Sequence, residues 1–146
     1  MNCAHVLIGA SPAQCEAGIT ARRCRECRAW ERVIVLGEIP PGANQLHRMS
    51  RYEIGELRAR LKADAAYLVR ETGVDGPPIE HARISVDFYF RTKRGLDTDN
   101  AFAGCKPVID GLRGRWLVDD ADPEYVIRRH TGTGQPSHVR ISVEAI

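Results

Sequence analysis

The sequence predicts an α/β (α+β) fold, a single domain in which helices pack on a mixed β-sheet, preceded by a Cys-rich extension. Three observations predict it. At 146 residues, 43% apolar and 27% charged, the chain has the composition of one globular core. Ile84, Val86, Phe88 and Phe90 alternate with Ser85, Asp87 and Tyr89, the period of two of a strand with one buried face. Ile54, Leu57, Leu61, Ala65 and Leu68 recur every three or four residues, the period of an amphipathic helix.

Residues 1–30 are rich in Cys, Ala and Arg and show no clean period, so they read as an extension to a main domain of residues 31–146. From Glu31 to Gly37 the β-branched run predicts a strand, which Pro40 and Pro41 stop because proline has no backbone donor for a ladder. Pro40 to His47 is then expected to be a rigid loop. A helix is predicted from Ser50 to about Thr72, with Ser50 and Glu53 spaced as a capping box. After the strand at 84–90, a basic loop from Arg91 leads into acidic residues suited to a helix N-terminus. That helix should run from about Asn100 to Leu112, with Pro107 kinking or restarting it. Trp116 to Asp120 reads as a short extended piece, and two strands, about 124–130 and 139–144, close the domain. The order strand, helix, strand, helix, strand, strand fits a mixed sheet with packed helices.

No apolar run approaches the ~20 residues of a membrane-spanning helix, and no signal-peptide pattern opens the chain; the expectation is a soluble, cytoplasmic protein without a membrane partner. The net charge of +2 does not by itself mark a nucleic-acid binder. Arginine nevertheless supplies 18 of the 21 basic residues, and its planar fork suits phosphate, although a GC-rich coding sequence gives the same bias. The five cysteines are an odd set, four of them within the first 27 residues, which argues against a secreted disulfide framework. Cys24 and Cys27 have zinc-knuckle spacing, and Cys3, His5 and Cys15 offer further ligands for structural Zn2+. The other reading is a set of reduced, non-ligating thiols. Cys105, inside a predicted helix, is expected to be a small packed residue.

The sharpest chemical feature is Asp97-Thr98-Asp99-Asn100, followed by Lys106, Asp110 and then Asp119-Asp120. In extended backbone, residues two apart share a side, so Asp97 and Asp99 can converge on one cation. Hard ions such as Mg2+ prefer carboxylate oxygens and keep waters, leaving room for phosphate and an attacking water. Asp119 or Asp120, at the end of the apolar run Trp116-Leu117-Val118, would supply a third carboxylate from a separate element. Asp and Asn are also common helix caps and turn residues, which is the plain alternative. For Asn100 the alternatives are a cap or a side-chain hydrogen bond that orients a ligating carboxylate. Asp110 reads as a structural partner, to Lys106 for example. Arg91, Lys93 and Arg94 stand where they can grip phosphates, or simply face solvent.

Pro40-Pro41-x-x-Asn44, Asp97-x-Asp99-Asn100, Lys106-x-x-x-Asp110-Gly111-Leu112 and Trp116-Leu117-Val118-Asp119-Asp120, in this order and spacing, resemble the RusA family of Holliday-junction resolvases. The resemblance covers residues 31–145. It implies a small homodimeric nuclease that binds branched DNA, four-way junctions above all, and nicks two strands symmetrically with Mg2+ in recombination and repair. By position, it implies that Asp97, Asp99 and Asp120 hold the metal, that Asp119 is the preceding acid of the pair, and that Lys106 is catalytic. Here Lys106 follows Asp99 by seven residues, where the family pattern has four and this chain has Ala103. The proline loop reads Pro-Pro-Gly-Ala-Asn where Pro-Pro-Ser-x-Asn is more usual. Two other functions fit the same residues: a magnesium nuclease for other branched DNA, and a non-catalytic zinc-containing DNA-binding protein. Converging carboxylates favour the enzymes, because without a cation they repel phosphate.

Overall fold

The computed structural model describes residues 32–73 and 77–146; the predicted extension, with Cys3, Cys15, Cys24 and Cys27, lies outside these residues. Strand β1 (Arg32–Leu36) is followed by a single helical turn, α1 (Ala43–Leu46), and the long helix α2 (Arg51–Glu71). Next come β2 (Ala82–Tyr89), helix α3 (Thr98–Asp110), β3 (Glu124–His130) and β4 (His138–Ala145). The fold is mixed α+β, as predicted. The sheet order is β1-β4-β2-β3, with β4 antiparallel to β1 and β2 and with β2 parallel to β3.

Local chemistry explains the helix boundaries. At α2 the capping box is complete: Ser50 Oγ accepts from the Glu53 N–H, and Glu53 Oε1 accepts from the Ser50 N–H. Leu61, Ala65 and Val69 form its buried stripe. Helix α3 starts two residues earlier than the apolar period suggested, because Asp97 is its N-cap and accepts from the Asn100 N–H at 2.8 Å. Pro107 lies inside α3, which continues to Asp110.

The core is the helix-facing side of the sheet. Ile84, Val86 and Phe88 of β2 and Val139, Ile141 and Val143 of β4 are fully buried beneath Leu61, Cys105, Val108 and Leu112. Cys105 is packed as expected, and burial pushes its thiol pKa up to about 12. The expected extended piece is short: Leu117 makes isolated bridges to Ile79 and Arg113, and Trp116 and Leu117 are buried. Among the described residues no helix is long and apolar enough to cross a membrane.

The proline segment differs from the loop expected of it. Gly42 opens α1, and the segment lies directly on α3. Gly104 makes this possible: a Cβ there would stand 2.2 Å from the Pro41 carbonyl oxygen, too close for any side chain. Gly111 plays the same part between the helices, since its Cβ would meet the Lys62 carbonyl at 2.6 Å and Ala65 Cβ at 2.7 Å.

Candidate active site at the ends of helix α3

Because β2 and β3 are parallel, α3 must carry the chain from the C-terminal end of β2 back to the N-terminal end of β3. Asp97 and Asp99 therefore stand at the start of α3, and Asp119 and Asp120 stand beyond its finish. The 13 residues of α3, a helix about 20 Å long, lie between the two acidic pairs within one copy. Among the described residues no group of three His, Cys, Asp or Glu side chains is arranged to hold one ion.

At the first end, Asp97 and Asp99 are exposed. Only Asp97 is extended; α3 begins at Thr98, so the extended backbone expected to turn both carboxylates to one side is replaced by the first turn of a helix, on which residues two apart do not face each other. One oxygen of Asp97 is engaged by the Asn100 N–H; Asp99 has no hydrogen-bond or ion-pair partner among the described residues. The Asn100 side chain does not orient a carboxylate. Its Oδ1 accepts from the Asn44 N–H at 3.0 Å and so ties the proline segment to the turn that holds Asp97. Four cations belong to the segments that adjoin this end. Arg48 shares with Asn44, Gln45, Leu96 and Asn100 an open cavity of about 460 Å³. Arg91, Lys93 and Arg94 lie on the loop after β2, which is braced by Gly132 N–H to Thr92 O, Gly134 N–H to Arg91 O and Arg91 N–H to Ser137 Oγ. These four cations are exposed, and none is in an ion pair among the described residues.

At the other end the acids meet one arginine. Arg113 Nη1 donates to the Asp119 carbonyl at 2.9 Å and the Ala121 carbonyl at 3.0 Å, and its Nε lies 3.6 Å from Asp110 Oδ1. The partner of Asp110 is thus Arg113 rather than Lys106. Arg113 fixes the backbone of the Asp119-Asp120 turn and leaves the Asp120 carboxylate exposed and without a partner among the described residues.

Lys106 is exposed and lines a groove between α2 and α3 with Ala103 and Asp110. Asp99, Ala103, Lys106 and Asp110 are spaced four, three and four, so they share one face of α3. The seven-residue interval after Asp99 keeps Lys106 on the same side as the interval of four would, one turn further along.

Two groups escaped the sequence reading. Arg48 gave no signal beyond its charge. Arg129 sits on β3 opposite Phe88, and its guanidinium reaches the Leu96 carbonyl at 3.5 Å, just before Asp97. Only the pairing of β2 with β3 brings it there. No protein-family model matches this chain, and no curated protein matches it either.

Proposed function

We propose that this protein is a magnesium-dependent endodeoxyribonuclease for branched DNA, a Holliday-junction resolvase of the RusA type that acts as a homodimer. The observation that carries the reading is the start of α3, where two exposed carboxylates have open oxygens, Arg48 lines a cavity with Leu96 and Asn100, and the exposed Arg91, Lys93 and Arg94 lie in the loop just before Asp97. Oxygen donors of this kind suit a hard divalent ion, with the second oxygen of Asp97 and both of Asp99 open. When bound, magnesium supplies Lewis-acid polarisation of a phosphodiester and a more acidic water. Arg48, Arg91, Lys93 and Arg94 neutralise the phosphates that would otherwise be repelled by the acids. Lys106 offers an ammonium on the same helical face as Asp99.

The third carboxylate, Asp120, belongs to a second copy in this reading. In one copy the length of α3 holds it away from Asp97 and Asp99. A two-fold dimer with the start of one α3 beside the end of the other would form two equivalent sites, as paired nicking requires.

The test is complementation. Differently tagged Asp97→Asn and Asp120→Asn chains are co-purified as mixed dimers and assayed on a four-way junction with magnesium. Each variant alone should be inactive, whereas the mixed dimer keeps one intact site and should recover single-strand nicking, at about half the wild-type rate per dimer. Inactivity of the mixture would place all three carboxylates in one chain. Full cleavage by either variant alone would remove the metal assignment.

A further inference from the structure

The groove between α2 and α3 is apolar on its floor and cationic on its rim. Leu46, Leu57, Leu61 and Pro107 line it together with Arg58, Lys62 and Lys106, and the three cations are exposed where the leucines are partly or fully buried. Its volume is about 370 Å³, within the about 300–1,000 Å³ of clefts that hold small ligands. Near one end Gly111 approaches Lys62 and Ala65 tightly, and near the other the Pro40-Pro41 segment lies over Gly104.

Two further features give the groove its chemistry. None of Arg58, Lys62 and Lys106 has an ion-pair partner among the described residues, and the only carboxylate in the lining, Asp110, lies 3.6 Å from Arg113. The rim is thus net positive and its charges are uncommitted. Ala103 and Pro107 both line the groove, and Pro107 has no N–H to donate to the Ala103 carbonyl four residues back. That carbonyl lacks its usual helical donor and can accept a hydrogen bond from a ligand.

A ligand that matches has a flat apolar face, amine donors on its edge and negative charge on either side. We infer that the groove binds one unstacked nucleotide of a DNA strand, its base on the leucines and Pro107 and its flanking phosphates on Arg58, Lys62 and Lys106. The inference rests on the nuclease reading and deepens it: the groove begins one helical turn from Asp99, so a strand threaded through it is led to the acidic site. Paired bases in a duplex are already stacked, so the groove selects DNA with an accessible base, as at a branch point.

The test uses a four-way junction carrying 2-aminopurine at the branch point or within an arm, with Ca2+ in place of Mg2+ so that the carboxylates keep a cation, and with intact strands verified on a denaturing gel. Wild-type protein should raise the fluorescence several-fold at the branch point and leave the arm unchanged. Ala103→Phe, which fills the groove, should abolish the rise, and Lys62→Glu should weaken junction binding about tenfold. Thermal melting verifies that Ala103→Phe is folded; if it is not, the exposed Lys62→Glu change carries the test. A wild-type rise and affinity retained by the folded variants would overturn the inference. So would a wild-type protein that nicks junctions with magnesium yet gives no rise, which leaves the nuclease reading standing. Failure of the wild type to bind or nick branched DNA removes both.

Discussion

Asp87 and Asp99 are the same residue type in opposite circumstances. On the sheet face turned away from the helices, Asp87 is 4% exposed, with Arg128 Nε at 2.7 Å and Arg128 Nη2 at 3.3 Å on its two oxygens. His130 Nε2 lies 3.0 Å from the same carboxylate, and Tyr89 is stacked between His130 and His138 at 4.5 and 4.6 Å. Asp99, at the start of α3, is exposed and has no partner among the described residues. The charge of Asp87 is consumed inside the protein, and that of Asp99 is open to something outside it. Charge in the first place should govern stability, and in the second activity.

The sharpest way to break this contrast is a pair of isosteric substitutions. Asp99→Asn should reduce junction nicking by about 100-fold or more while lowering stability by only about 0.5 kcal/mol, the scale of one exposed acid in the first turn of a helix. Asp87→Asn should do the reverse, leaving the nicking rate intact and costing about 2 kcal/mol in denaturant unfolding. The cost is set below that of a fully buried pair because half of Arg128 is exposed. Equal effects of both changes on both measurements would dissolve the distinction.

Acid titration sharpens it. Burial pushes the Asp87 carboxyl up, but the hydrogen bonds and charges of Arg128 and His130 together outweigh burial and hold it below the ordinary carboxylate value. A folded pKa below the unfolded one contributes stability that is present above about pH 4 and is lost as pH falls through the folded value. The melting-temperature difference between wild type and Asp87→Asn should therefore be full at pH 6 and shrink steadily below pH 4. A difference independent of pH would show that packing, not charge, makes it.

A smaller effect separates the capping role of Asp97 from its proposed role in holding metal. As the N-cap of α3, Asp97→Ala should cost about 1 kcal/mol, and Asp97→Asn only a few tenths, since asparagine caps nearly as well. Both should lose nicking. The smallest effect belongs to Asp119, whose carbonyl, and not its carboxylate, receives the Arg113 hydrogen bond. Asp119→Asn should leave the melting curve unchanged.

What was legible in the sequence was what is local in the chain. The Ser50 and Glu53 capping box lies within one turn, and the alternation of 84–90 depends only on which side each residue points. Both carried through to the fold. The alternation placed Asp87 on the polar face and gave no hint of its burial, because Arg128 and His130 arrive from β3, some forty residues on. The same pairing of β2 with β3 decides the relation of Asp97 to Asp120. Spacing allowed the two acidic pairs to converge, and the parallel pairing sets them at opposite ends of a helix. The one-turn helix α1 was hidden for another reason: its own anchor, Asn100, and the bare backbone of Gly104 that receives the preceding Pro40-Pro41 segment both lie on α3.

The length of α3 has a consequence for dose. If the proposed nuclease shares its carboxylates between copies because thirteen residues of α3 stand between Asp97 and Asp120, an isolated copy holds no complete set and is inert toward DNA. Nicking would then grow with the square of protein concentration below the point where copies pair. Stray single chains on a chromosome would leave it uncut, and incision would begin only where two copies meet on one branch.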